Sequence, residues 1–222
     1  MPASAAACAA IARKNLLLER RAGEVLLVTA PMGAVALLVI PIAVGTNVPL
    51  LRQVGPGMFW VVTMLFGTFV VLRQSAVEGP AQVRLLTLAG VPTAVQLIGN
   101  AIASAVLLVA FGAVLAPVAA MLYDPSARGW IWLLVVLPGV AAGLALLGSI
   151  AEAVLRSLSV RTALGPLIMI PLGLPLLLAA TQVVEVVGLG RSPVPWLLLI
   201  LTVDLVLLLL AIFAGHLVEE VR

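Results

Sequence analysis

Thirty-nine consecutive residues, Leu85–Tyr123, contain no Asp, Glu, Lys, Arg or His. A helix in a water-soluble domain needs a polar face, and a run of this length supplies none. Five more apolar stretches surround it: Val25–Val44, Gly55–Leu72, Gly129–Ala151, Thr162–Val184 and Pro195–His216, the last interrupted only by Asp204. About 20 residues cross the hydrocarbon core of a bilayer as a helix, so the pattern is that of a multi-pass membrane protein. Composition agrees. The 222 residues are 64% hydrophobic and 9% charged, against ~45–50% and ~25% in soluble domains. Six spans and their loops use up the chain, leaving no length for a separate catalytic domain.

The same inventory excludes most chemistry. Cys8 is the only cysteine and His216 the only histidine, so neither a thiolate metal site nor a multi-histidine cluster can be built. Haem-attachment, phosphate-loop and dinucleotide motifs are missing from the sequence. The net charge of +3 reads as membrane topology rather than nucleic-acid binding. The chain is expected to be no enzyme.

The 39-residue stretch is too long for one span. Leu85–Gly90 reads as a surface segment and Pro92 as the first turn of a helix that runs to Ala116, with Pro117 kinking or ending it. The expected spans are thus about 25–44, 55–72, 92–116, 129–151, 162–184 and 195–216. An even number puts both termini on one side, together with Arg13, Lys14, Arg20, Arg21, Arg73, Arg84, Arg156, Arg161 and Arg222. Arg52, Arg128 and Arg191 fall on the other. Nine against three satisfies the positive-inside rule, which makes both termini cytoplasmic. Trp60, Trp130, Trp132, Trp196 and Tyr123 fall near the outer ends of the expected spans, the headgroup zone that aromatic rings prefer. Residues 3–24 lack the charged start of a signal peptide. Ile11, Leu16, Leu17 and Leu18 alternate with Arg13, Lys14, Arg20 and Arg21, which suits an amphipathic helix on the inner leaflet. Cys8 there reads as a free cytoplasmic thiol.

Several residues could carry function. Asp204 is an ionisable group inside a span, costly in lipid and functional by default; it either faces a pathway or fixes packing. Gln96, Asn100 and Ser104 recur every four residues and share a helix face, as a pathway lining or as interhelical glue. Gly139-x-x-x-Gly143 has the spacing that lets helices approach closely. Pro166, Pro171 and Pro175 fall in one span, which should be bent or broken as a hinge or a static kink. Their freed carbonyls need protein or water, which predicts a position inside the bundle. His216 reads as an interfacial residue, with a haem axial ligand as the alternative. The segment Arg73–Arg84 carries a turn signal at Glu78-Gly79-Pro80 and is either a solvated loop or a docking element.

Four stretches together resemble the CcmB family, the haem exporter B permeases of the cytochrome c maturation ABC complex. They are Pro41-Ile-Ala-Val-Gly45, Val54-Gly-Pro-Gly-Met-Phe-Trp60, the loop with Arg73, Glu78-Gly79 and Val83-Arg84, and Ile170-Pro-Leu-Gly-Leu-Pro-Leu-Leu177. The resemblance implies an all-α permease of six transmembrane helices, similar to type-2 ABC exporters, with residues 3–24 as an elbow helix. Residues 73–90 would be the ATPase-coupling loop, with Arg73, Glu78, Gly79, Gln82 and Arg84 as its contact residues. The implied partners are a cytoplasmic CcmA-like ATPase, a CcmC-like haem-handling subunit, a small CcmD-like subunit and a second permease chain, all in the inner membrane. ATP would bind only the ATPase, and haem would be a cargo rather than a covalent cofactor. Gln74-Ser75, Pro80, Arg84 and Asn100 depart from the family pattern. A type-2 permease for a lipid or drug, or an assembly scaffold without transport, stays open beside this reading.

Overall fold

A computed structural model describes residues 2–23, 25–45, 47–77, 85–86, 88–123, 127–155 and 161–220. Helix α1 is Pro2–Ala22. A π-helical turn, Val25–Thr29, leads into α2, Ala30–Val44. Then follow α3 (Val48–Val77), α4 (Thr93–Tyr123), α5 (Ala127–Leu155), α6 (Arg161–Gly188) and α7 (Val194–Glu220). Six helices, α2 with its π turn and α3 to α7, are long and apolar enough to cross a membrane. They run alternately up and down, so the chain has a terminal end, where α1 lies, and a far end.

Helices run further than sequence breaks suggest. Pro117 does not end α4, which continues to Tyr123, and α3 starts at Val48 rather than at Gly55. A proline removes one helical hydrogen bond, but its neighbours hold the turn when other groups take up the freed carbonyl. Helix α5 is the centre of the bundle, with 67% of its most apolar window buried, whereas α7 is peripheral at 17%. The core is built from Leu, Val and Ala with Phe59, Trp60, Phe111 and Met169.

One contact ties three helices at the far end. Pro41 cannot donate to the carbonyl of Leu37, four residues back in α2. The Tyr123 hydroxyl at the end of α4 donates to that carbonyl at 2.9 Å, in a buried setting. The Tyr123 ring in turn lies against Gly55 of α3, where an added Cβ would come within 2.6 Å of the tyrosine Cβ. Only glycine allows α3 this close to the base of the ring. Tyr123 is thus a core residue at 1% exposure and not a headgroup aromatic. Replacing Tyr123 with Phe keeps the ring but orphans a buried carbonyl, so a loss of about 1–3 kcal/mol is expected. Thermal unfolding of the purified chain in detergent reads it, and an unchanged midpoint would show that the bond contributes nothing.

Candidate functional site

Polar side chains inside the bundle gather toward the terminal end. Gln96, Asn100 and Ser104 of α4 are buried at 0%, 4% and 3% exposure. They do not line one open path. Gln96 Nε2 donates to the carbonyl of Val91 at 3.0 Å, within its own helix start. Asn100 Oδ1 accepts from Asn15 Nδ2 of α1 at 2.8 Å. Asn100 and Ser104 also line a cavity of about 10 Å³ with Ser149 and Glu152 of α5, space for a single water molecule. Within this stripe Asn100 makes the bond that reaches another helix.

Helix α1 meets the bundle with its polar side. Asn15 and Glu19 are buried, beside Ile11 and Ala12, while Leu17 and Leu18 face outward at 46% and 39% exposure. The apolar set Ile11, Leu16, Leu17 and Leu18 is therefore split: Ile11 packs on Gly99 of α4, and Leu16 packs on the core. Outside a membrane protein the surroundings are apolar, so polar groups turn inward and leucines out. Burial raises the Cys8 thiol above its ordinary value, which suits an unreactive free cysteine. Glu19 Oε2 lies 3.8 Å from Arg73 Nη1 at the end of α3. Its Oε1 accepts from the backbone N–H of Val25 at 2.7 Å. Glu78, Gly79, Gln82 and Arg84 lie outside the described residues, as does the side chain of His216.

Asp204 sits about 15 Å along α7, at 1.5 Å per residue. Its carboxylate faces the glycine pair of α5. A Cβ on Gly143 would stand 2.5 Å from Asp204 Oδ1, and one on Gly139 would stand 3.9 Å from Oδ2. Two features that look separate in the sequence are thus one site, a glycine notch that seats a carboxylate. Asp204 Oδ1 is buried with no hydrogen-bond partner among the described residues.

The prolines of α6 and Trp60 are placed differently from expectation, whereas Trp130, Trp132 and Trp196 lie near the starts of α5 and α7. Pro171 and Pro175 are exposed and Pro166 is half-buried, in a continuous α6. The inward face of α6 is made instead of Met169, Gly173, Leu176, Ala179, Ala180 and Val183. A proline ring has no packing advantage over these small and flexible side chains, so the prolines turn to the periphery. Trp60 is buried at 1% exposure, edge-on to Phe59 at 5.1 Å. Because α3 begins at Val48, Trp60 lies about 18 Å inside it and not at its end. Trp130, Trp132 and Trp196 are half-buried and pack on the core. At the far end a cavity of about 380 Å³ is lined by Arg52, Gln53, Thr181 and Glu185 among others.

Asn15, Glu19 and Glu152 were not legible as site residues. Asn15 and Glu19 are four apart, on the face of α1 away from Leu17 and Leu18, and that spacing was the available signal. Two expectations follow from these contacts. Asn100→Leu should leave the buried Asn15 amide unpaired and cost about 1–3 kcal/mol, and Asn15→Leu with Asn100→Leu should recover most of it. A double variant no better than the single in thermal unfolding would argue against a direct bond. Gly143→Val should overpack the notch at a cost of about 1–3 kcal/mol, whereas Asp204→Asn, equal in size, should fold at native yield. Detergent-extracted yield and unfolding midpoint would check both.

No curated protein matches the chain closely enough to count as a relative. A family model described as CcmB protein matches residues 6–219, nearly the whole chain and every one of the six candidate spans. The chain belongs to the CcmB family and is a multi-pass membrane permease of the haem exporter ABC system.

Proposed function

We propose that this permease works in cytochrome c maturation, in the inner membrane with both termini cytoplasmic, and draws its energy from ATP hydrolysed on a separate CcmA-like ATPase. The observation that carries the reading is the family match over residues 6–219 on a chain with no phosphate loop in its sequence. Membership of a family that serves an ABC system, together with the missing phosphate loop, supports a separate ATPase. The basic residues support the orientation, nine on the terminal side against three. Haem is the cargo, or the haem-loaded chaperone is the species released, and the chain holds no resident cofactor. A CcmC-like subunit, a CcmD-like subunit and a second permease chain complete the assembly, and no nucleic acid takes part.

In this mechanism residues 73–90 receive the push of the closing ATPase. Arg73, Glu78, Gly79, Gln82 and Arg84 are the contact residues, and α3 and α4, which flank the segment, move against the rest. Packed helices shift between discrete arrangements rather than deforming continuously. Replacing Glu78 by Lys and Gly79 by Trp should abolish co-purification of the ATPase while the permease stays in the membrane at native level. An ATPase that still co-purifies in full would count against the coupling segment. Porphyrin extracted from the same preparation tests the cargo: a bound lipid or drug-like molecule in its place would point to a different exporter.

A further inference from the structure

We infer that Glu19 is a positioning residue whose carboxylate makes the elbow helix, the start of the first span and the loop-side end of α3 move as one body. The inference rests on the coupling-segment reading above, which supplies the force; the contacts themselves do not.

Glu19 uses its two oxygens for two different elements. Oε1 takes the N–H of Val25 at 2.7 Å, and Val25 is the first residue of the π turn and 2% exposed. The first N–H groups of a helix have no partner inside it, so Glu19 satisfies a buried donor that the helix itself cannot. Oε2 meets Arg73 Nη1 at 3.8 Å, five residues before Glu78. Between α1 and the π turn Gly23 takes a left-handed φ of 66°, its N–H bonds the Glu19 carbonyl at 2.6 Å, and its carbonyl accepts from Leu27 at 2.8 Å. The connection is therefore two residues long and pinned at both its ends, and α1 cannot rotate about its axis without breaking the bond to Val25.

The rest of α1 carries the displacement further. Cys8, Ile11, Asn15 and Glu19 are three or four residues apart and share one face. Ile11 and the Cys8 carbonyl pack on Gly99, where an added Cβ would lie 3.0 and 3.2 Å from them. Asn15 bonds Asn100. A movement of Arg73 thus reaches α2 through Val25 and α4 through residues 99 and 100, along one short rigid helix. A carboxylate suits this joint because one oxygen accepts from the Val25 N–H while the other carries charge opposite the Arg73 guanidinium. Glutamine retains the first contact and loses the charge for the second.

The test uses the full complex in nanodiscs, in a Cys8→Ser background. Spin labels at Leu18→Cys and Leu85→Cys report the distance between α1 and the far side of the loop. The parent should give a narrow distribution, Glu19→Ala a broad one and Glu19→Gln an intermediate one. In cells, Glu19→Ala should lower cytochrome c output at least ten-fold with permease level and ATPase co-purification unchanged. Glu19→Cys with Arg73→Cys, joined by a short reducible cross-linker, should give more output than the same double variant without the cross-linker. An unchanged distance distribution in Glu19→Ala would overturn the joint. So would a cross-link that stops output until it is reduced, because the contact would then have to open. If the unaltered chain brings down no ATPase, the coupling reading falls, and the spin-label distances still decide whether the joint exists.

Discussion

In the hydrocarbon core every backbone donor and acceptor must find its partner inside the protein, and two prolines of the first span show how this chain meets that demand. Pro41 frees the carbonyl of Leu37, and the Tyr123 hydroxyl, brought from the end of α4, takes it. That bond requires α4 to extend past Pro117 and requires α3 to approach through Gly55. Pro31, near the start of α2, cannot donate to Leu27, and the chain there is wound as a π turn instead of an α turn. Hydroxyls are satisfied within single helices: Thr68 bonds the carbonyl of Met64, and Thr181 that of Leu177. The Tyr123 bond is the one of these that ties separate helices together.

The same solvent argument turns α1 inside out. In water, an amphipathic helix buries leucine and exposes arginine and glutamate. Here Leu17 and Leu18 face outward and Asn15 and Glu19 face the bundle, with Arg13, Arg20 and Arg21 exposed around the leucines. That outer face suits an inner-leaflet position, apolar side chains in the acyl region and cations at the phosphates. A helix held by polar contacts in addition to the burial of Ile11, Ala12 and Leu16 keeps its register. The Asn15–Asn100 bond forms in one alignment only, and a slip by one residue breaks it. Rigid register is what a helix between the loop end of α3 and the first span needs if it is to transmit a displacement.

The apolar runs made the helical membrane fold and its six candidate spans readable from the sequence, because length and absence of charge are local properties. Helix ends were less readable. Proline and glycine at 55–57 and 117 signal breaks locally, and tertiary contacts such as Tyr123 with Leu37 override them. The direction of each side chain was least readable. Trp60 has the composition of a headgroup aromatic and is buried against Phe59, and the prolines of α6, expected inside, turn outward. Asp204 and Gly139-x-x-x-Gly143 were each visible, yet their meeting was not, because nothing in a single sequence pairs positions sixty residues apart.

That meeting bears on how α7 is held. Ile200 and Asp204 of α7 both come against the glycines of α5, so the missing side chains of the notch let the two helices approach closely there. Helix α7 also packs by its other end, where Gly215 lies against Ala94 at the start of α4. Ala94 is only four residues beyond Gly90, the last residue of the segment proposed to take the ATPase's push. At that point α4 meets α1 through Asn100 and α7 through Ala94. The first contact is a hydrogen bond between side chains, whereas the second is a close approach of small residues. Helix α7, the least buried span, is thus held near one end by Ala94 and along its length by Asp204 against α5.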